Sequence, residues 1–103
     1  MVSVSVLYPK TDGSHFDYEY YLQKHVPMVR SRCQPLGLSR LDLIRGISTL
    51  NGGQPGFELI GILTFESKEQ MQSALAQAGE EILSDIPNFT NISPYIQLND
   101  LIS

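Results

Sequence analysis

The chain has 103 residues, a formal net charge of −4, and only 17% charged against 42% hydrophobic residues. That length fits one domain spanning 1–103. The acidic balance offers no basic patch for nucleic acid, and no apolar run approaches the roughly 18 residues of a membrane span. The opening "MVSVSVLYPK" lacks a basic segment followed by a continuous apolar core, so it does not read as a signal peptide. The lone Cys33 excludes an internal disulfide and fits a reducing, cytoplasmic setting. Charged residues fall short of the usual share of about 25%, which suggests that part of the surface is covered, most simply by a second copy of the chain.

"VSVSVLY" alternates strictly, with Val2, Val4, Val6 and Tyr8 on one face, and predicts a first strand. "PKTDGSH" predicts a loop. From Asp17, a plausible N-cap, the period turns helical through Tyr18, Tyr21, Leu22, His25, Val29 and Cys33, and "QPLG" ends the helix. Pro27 removes the amide that would bond the Gln23 carbonyl, which predicts a kink. "LSRLDLIRGIS" is extended, and "NGGQPG" is a long turn into the next strand.

"FELIGILTF" carries apolar residues on both faces, Phe57, Leu59, Leu63 and Phe65 against Ile60 and Ile62, as expected of a strand covered on both sides. "SKEQ" at Ser67 matches a capping box that opens a second helix with the face Met71, Ala74, Leu75, Ala78 and Ile82. Gly79 is a candidate break in that helix, and Pro87 a stop. "NISPYIQLNDLI" predicts the last strand. The order is βαββαβ, an α+β ferredoxin-like arrangement with a four-stranded antiparallel sheet. Two helices cover one face of such a sheet. Ile60 and Ile62 on the other face then predict a homodimer packed sheet against sheet.

Three blocks in this order resemble the EthD family, named for ethyl tert-butyl ether degradation: "VSVLYP", "FDYEYYLQKHVPMV" with its Tyr-Tyr and His-x-Pro, and "EEILSDIPNFTNISPYIQ". The resemblance covers nearly the whole chain. It implies a dimeric α/β barrel in which each subunit keeps a cavity between sheet and helices. Wider relatives include cofactor-independent monooxygenases, isomerases, dehydratases and haem-degrading enzymes, so the resemblance constrains architecture more than reaction.

His25 lies one turn after Tyr21 on the face turned to the sheet. A lone histidine there is either a buried neutral group bonded to its neighbours or an acid/base group in a cavity. The resemblance matches it to the family's His-x-Pro and puts the two readings on an equal footing. Tyr21 is its helical neighbour, Tyr18 lies one turn back, and Tyr20 points elsewhere. Asp85, in "SDIPNFT", either caps a turn or orients His25. Tyr8, Phe89 and Tyr95 are candidate ligand contacts, each with simple packing as the alternative.

His15 and His25 give no metal-ligand spacing, Cys33 reads as a small core hydrophobe, and "NGGQPG" lacks the lysine and context of a phosphate loop. No cofactor is expected. The reading that follows is a cofactor-independent enzyme or accessory protein acting on a small, largely apolar organic metabolite by oxygenation, isomerisation or dehydration. In it His25 is the acid/base, with Tyr21 and Asp85 orienting it and Tyr18, Tyr8, Phe89 and Tyr95 contacting the ligand. The alternatives are a non-catalytic carrier for an oxygenase, a haem protein with His25 as axial ligand, and a purely structural dimer.

Overall fold

A computed structural model describes residues 1–103. The alternating segments form β1 (Val2–Pro9), β2 (Leu38–Arg45), β3 (Phe57–Phe65) and β4 (Tyr95–Asp100). All neighbouring pairs are antiparallel, in the order β2-β3-β1-β4. With both helices on one face, this is the ferredoxin-like α+β fold that the pattern predicts. Val4, Tyr8, Leu59, Leu63 and Phe65 are buried on the helical face. They divide between two clusters, one built around Val4, Leu63, Phe65, Val29 and Met71 and the other around Tyr8, Leu59, Tyr21, Ile86 and Phe89.

The first helical segment is continuous but not α-helical throughout. Asp17 caps α1 (Tyr18–Tyr20) by accepting from the Tyr20 amide at 3.1 Å. A π-helical turn, Tyr21–His25, follows and leads into α2 (Val26–Cys33). The Val26 amide bonds the Tyr21 carbonyl, five residues back. The sequence predicts a kink from Pro27, and the widened turn is the form it takes. A proline ring crowds the carbonyl four residues earlier, and an extra residue per turn relieves that contact. Gly37, at φ 101°, closes the segment in the left-handed region, and the Gln70 side chain stands 2.7 Å from where a Cβ would be.

Ser67 caps α3 (Lys68–Asp85) by accepting from the Gln70 amide at 3.1 Å. This helix runs straight through Gly79, contrary to the predicted break, because a single glycine costs a helix interior only about 1 kcal/mol. Asp85 is its last residue, and Pro87 falls in the 3₁₀ turn Ile86–Asn88 that ends it. The last strand is shorter than its apolar pattern suggests. Ile92 lies outside β4, buried in the Tyr8–Phe89 cluster, and Pro94 stands just before the strand, where its missing amide is tolerated.

The sheet face away from the helices carries a cross-strand apolar row. Tyr95 pairs with Leu7, Leu7 with Ile60, and Ile60 with Ile44. Tyr95 and Ile44 are exposed at one end and the other of that row. Toward the opposite end of the strands the same face turns polar, with Asn99 donating to Ser5 Oγ at 2.7 Å and an Arg40–Asp42 ion pair at 2.7 Å. No helix is long and apolar enough to cross a membrane.

Candidate functional site

Two distant loops hold the site together. The Asp17 amide donates to the Phe89 carbonyl at 2.7 Å, and Phe16 bridges Thr90 in antiparallel fashion. The His15 amide donates to Asn91 Oδ1 at 3.0 Å. These bonds fix the start of α1 against the chain leaving α3. Tyr20, Tyr21 and His25 are thereby set beside Asp85, which lies 60 residues beyond His25.

His25 Nδ1 and Asp85 Oδ2 are 2.8 Å apart. The Tyr20 hydroxyl donates to Asp85 Oδ1 at 2.7 Å, and Asn88 Nδ2 donates to the same oxygen at 2.9 Å. A carboxylate in the last turn of a helix opposes the helix dipole, so Asp85 depends on these three donors. Partial burial pushes its pKa up, but the bonds from Asn88, His25 and Tyr20 outweigh burial and hold it below the usual value. Burial is also the largest influence on His25 and pulls its pKa down; Asp85 opposes this without overcoming it. His25 is therefore a neutral imidazole at neutral pH. Beside an acceptor-only carboxylate, its proton sits on Nδ1, leaving the Nε2 lone pair free.

That nitrogen faces a cavity of about 710 Å³ between sheet and helices. Fourteen of its nineteen lining residues are hydrophobic, and Tyr8, Tyr21 and His25 are among the nineteen. No side-chain nitrogen or oxygen of the fold is both sealed away and unpartnered. Nε2 of His25 and the hydroxyls of Tyr8 and Tyr21 have no bonding partner in the chain, so all three open onto the cavity. The Tyr21 ring stacks on His25 at 5.5 Å and 18°. Its hydroxyl reaches the sheet at Gly61, where a Cβ would stand 3.5 Å away. Burial raises the pKa of both Tyr8 and Tyr21, so each hydroxyl keeps its proton and can donate it in a hydrogen bond. No group of three His, Cys, Asp or Glu side chains comes together, so the donor set here is a His–Asp pair.

The fold brings His25, Tyr21, Asp85 and Tyr8 together and places the other candidates elsewhere. Tyr18 is not among the cavity residues. Its hydroxyl donates to the Glu58 carboxylate, which also pairs with Lys10 at 2.9 Å, and Arg45 lies 4.4 Å over its ring. Burial, with Glu58 adding to it, pushes the Tyr18 phenol up to about 12. Phe89 is 1% exposed and packs against the back of His25 at 4.6 Å without lining the cavity. Tyr95 is 67% exposed on the opposite face of the sheet. Tyr20 and Asn88 are the two further donors to Asp85, a role that helical spacing does not point to. Asn88 follows Asp85 within the turn-forming stretch "SDIPN", where Asp and Asn side chains favour local hydrogen bonds. Tyr20 has no such signal.

A ferredoxin-like subunit with an apolar sheet–helix cavity and one His–Asp pair on its wall defines a class of small-molecule-sized pockets rather than a reaction. Among solved structures the chain is similar to an EthD-like protein from Ralstonia eutropha JMP134, at 32% identity and TM-score 0.88, covering 99% of this chain and 92% of that one. On that likeness, the chain belongs to the EthD family. It is also similar to an ethyl tert-butyl ether degradation (EthD) family protein from Bacillus halodurans C-125, at 18% identity and TM-score 0.71 over 99% of each chain. SnoaB, a cofactor-independent oxygenase from Streptomyces nogalater, shares the fold at 13% identity and TM-score 0.65, covering 99% of this chain and 93% of that one. No protein-family model matches the chain, and no curated protein matches it in sequence.

Proposed function

We propose that the chain acts on a small, largely apolar organic molecule held in the sheet–helix cavity, with His25 as its general acid/base. The observation that carries this reading is the unpartnered Nε2 of a neutral, buried histidine at the wall of an apolar cavity, its Nδ1 tied to Asp85. Nε2 takes a proton from an O–H or C–H of the ligand, the imidazolium is stabilised by Asp85, and the proton is returned at a second position. Tyr21 and Tyr8 donate hydrogen bonds to the oxygen on which charge develops. Returned to another carbon of the ligand, the proton completes an isomerisation; delivered to a departing hydroxyl, it releases water in a dehydration; and with dioxygen as oxidant the deprotonated ligand is the species that is oxygenated. That a cofactor-independent oxygenase is built on the same fold supports chemistry of this kind without a bound cofactor.

The working unit in this proposal is a homodimer joined through the outer sheet faces, where the Tyr95–Leu7–Ile60–Ile44 row supplies the apolar surface. Native mass spectrometry of gently purified wild type and His25→Ala tests the reading. A dimer carrying a bound organic mass that the substitution weakens is expected. An adduct indifferent to His25 contradicts the acid/base assignment and favours a carrier that delivers an apolar compound. Haemin titration addresses the remaining reading, since Nε2 is free to ligate iron; no Soret shift is expected.

A further inference from the structure

Gly79 stands in the interior of α3, where glycine is less favourable than alanine. Nothing lies within 4 Å of the position its Cβ would take, so no neighbour requires a glycine there. On the same helical face, Leu75 comes one turn earlier and Ile82 and Leu83 one turn later, and all of them line the cavity together with Gly79. The α3 wall thus presents a large side chain, a gap, and large side chains again. The gap opens onto the cavity.

The cavity also differs between its two ends. Tyr8, Tyr21 and His25 are 1%, 4% and 4% exposed and bring three unpartnered polar atoms to the enclosed end. Leu83 of α3 and Ile96 of β4 are 47% and 45% exposed and mark the mouth. Glu80, also at the mouth, is the one charged residue in the lining beside the neutral His25. A charged ligand group would find no counter-charge at the enclosed end and would bear the full cost of desolvation.

We propose that Gly79 is the selectivity-determining gap of this site. The ligand it selects is an uncharged apolar molecule with a hydroxyl or carbonyl at one end. That end meets His25, Tyr8 and Tyr21, and the apolar body runs past Gly79 to the mouth between α3 and β4. The inference rests on the cavity being a ligand site, as in the proposed function.

The test is binding of the fluorescent probe N-phenyl-1-naphthylamine to wild type, Gly79→Ala and Gly79→Leu, with 1-naphthol and naphthalene as competitors and Tm measured in parallel. Gly79→Leu is expected to weaken the probe by about tenfold or more, the scale on which added methylenes act in an apolar pocket. Gly79→Ala is expected to weaken it severalfold and to raise Tm, which also guards against misfolding as the cause. 1-Naphthol is expected to compete better than naphthalene. Unchanged probe affinity in both Gly79 variants overturns the gap while leaving the proposed function in place. A wild type that binds no probe overturns both.

Discussion

The Tyr20 hydroxyl donates to Asp85 Oδ1 at 2.7 Å while His25 holds Oδ2 at 2.8 Å, so one carboxylate joins the surface of the helical segment to the cavity wall. Removing the carboxylate leaves His25 with burial alone, and burial lowers its pKa. In Asp85→Ala the His25 pKa is therefore expected to fall below its wild-type value in an NMR titration. Tyr20→Phe removes a bond that lowers the Asp85 pKa, so that pKa is expected to rise. A His25 pKa that rises in Asp85→Ala would count against the pairing.

Acid sensitivity follows from the same two groups. Burial holds the folded-state pKa of His25 below the ordinary histidine value of 6.5, so below that pH the unfolded chain takes up a proton that the folded chain does not. Stability therefore falls as pH drops from 6.5 toward the folded pKa. Asp85, held by its hydrogen bonds below the ordinary carboxylate value of 3.8, contributes stability that is present above that pH and lost as pH falls through its folded value. Urea unfolding between pH 7 and pH 4 is expected to show the first decline in wild type and to lack it in His25→Gln.

Phe89 supports the site from behind. It is 1% exposed and touches His25, Tyr21 and Phe16 at ring separations of 4.6, 5.0 and 5.1 Å. Phe89→Ala is expected to destabilise the fold by about 3–5 kcal/mol, the usual range for a buried phenylalanine. Chemical denaturation measures it. A loss below about 1 kcal/mol would place Phe89 outside the core, since surface changes stay near ±0.5.

Ile60 lies at the centre of the outer-face row, between Leu7 and Ile44. Ile60→Asp puts a charge on the surface that is proposed to be buried between subunits, where an unpaired charge is costly. Sedimentation of the wild type is expected to give a dimer, and Ile60→Asp a monomer with unchanged far-UV circular dichroism. A wild-type monomer contradicts the sheet-to-sheet assembly.

The strands were legible because their alternation has a period of two and because Ile60 and Ile62 oppose Leu59 and Leu63. Residue type, helical spacing and the family resemblance single out His25, Tyr21 and Asp85. Their meeting depends on the Asp17–Phe89 and His15–Asn91 bonds, which join residues more than 70 apart and leave no periodic trace. The role of Tyr20 leaves no mark in the sequence, for a local reason. Spacing at 3.6 residues per turn points it away from the face of Tyr21, yet the chain changes to a π turn at Tyr21, and Asp85 arrives from a different element to meet it. Tyr18 illustrates the converse, since its spacing fits the cavity face but Glu58 and Arg45 hold it at the edge.

In the proposed function His25 presents an unprotonated Nε2 to the cavity because Asp85 holds its proton on Nδ1. Long-range proton–nitrogen-15 correlation of the His25 ring at pH 7 reads this directly. A neutral ring with the proton on Nδ1 is expected, with an Nε2 shift that moves when an apolar hydroxylated probe such as 1-naphthol is added. A proton on Nε2, or a ring fully charged at that pH, would contradict the proposed function.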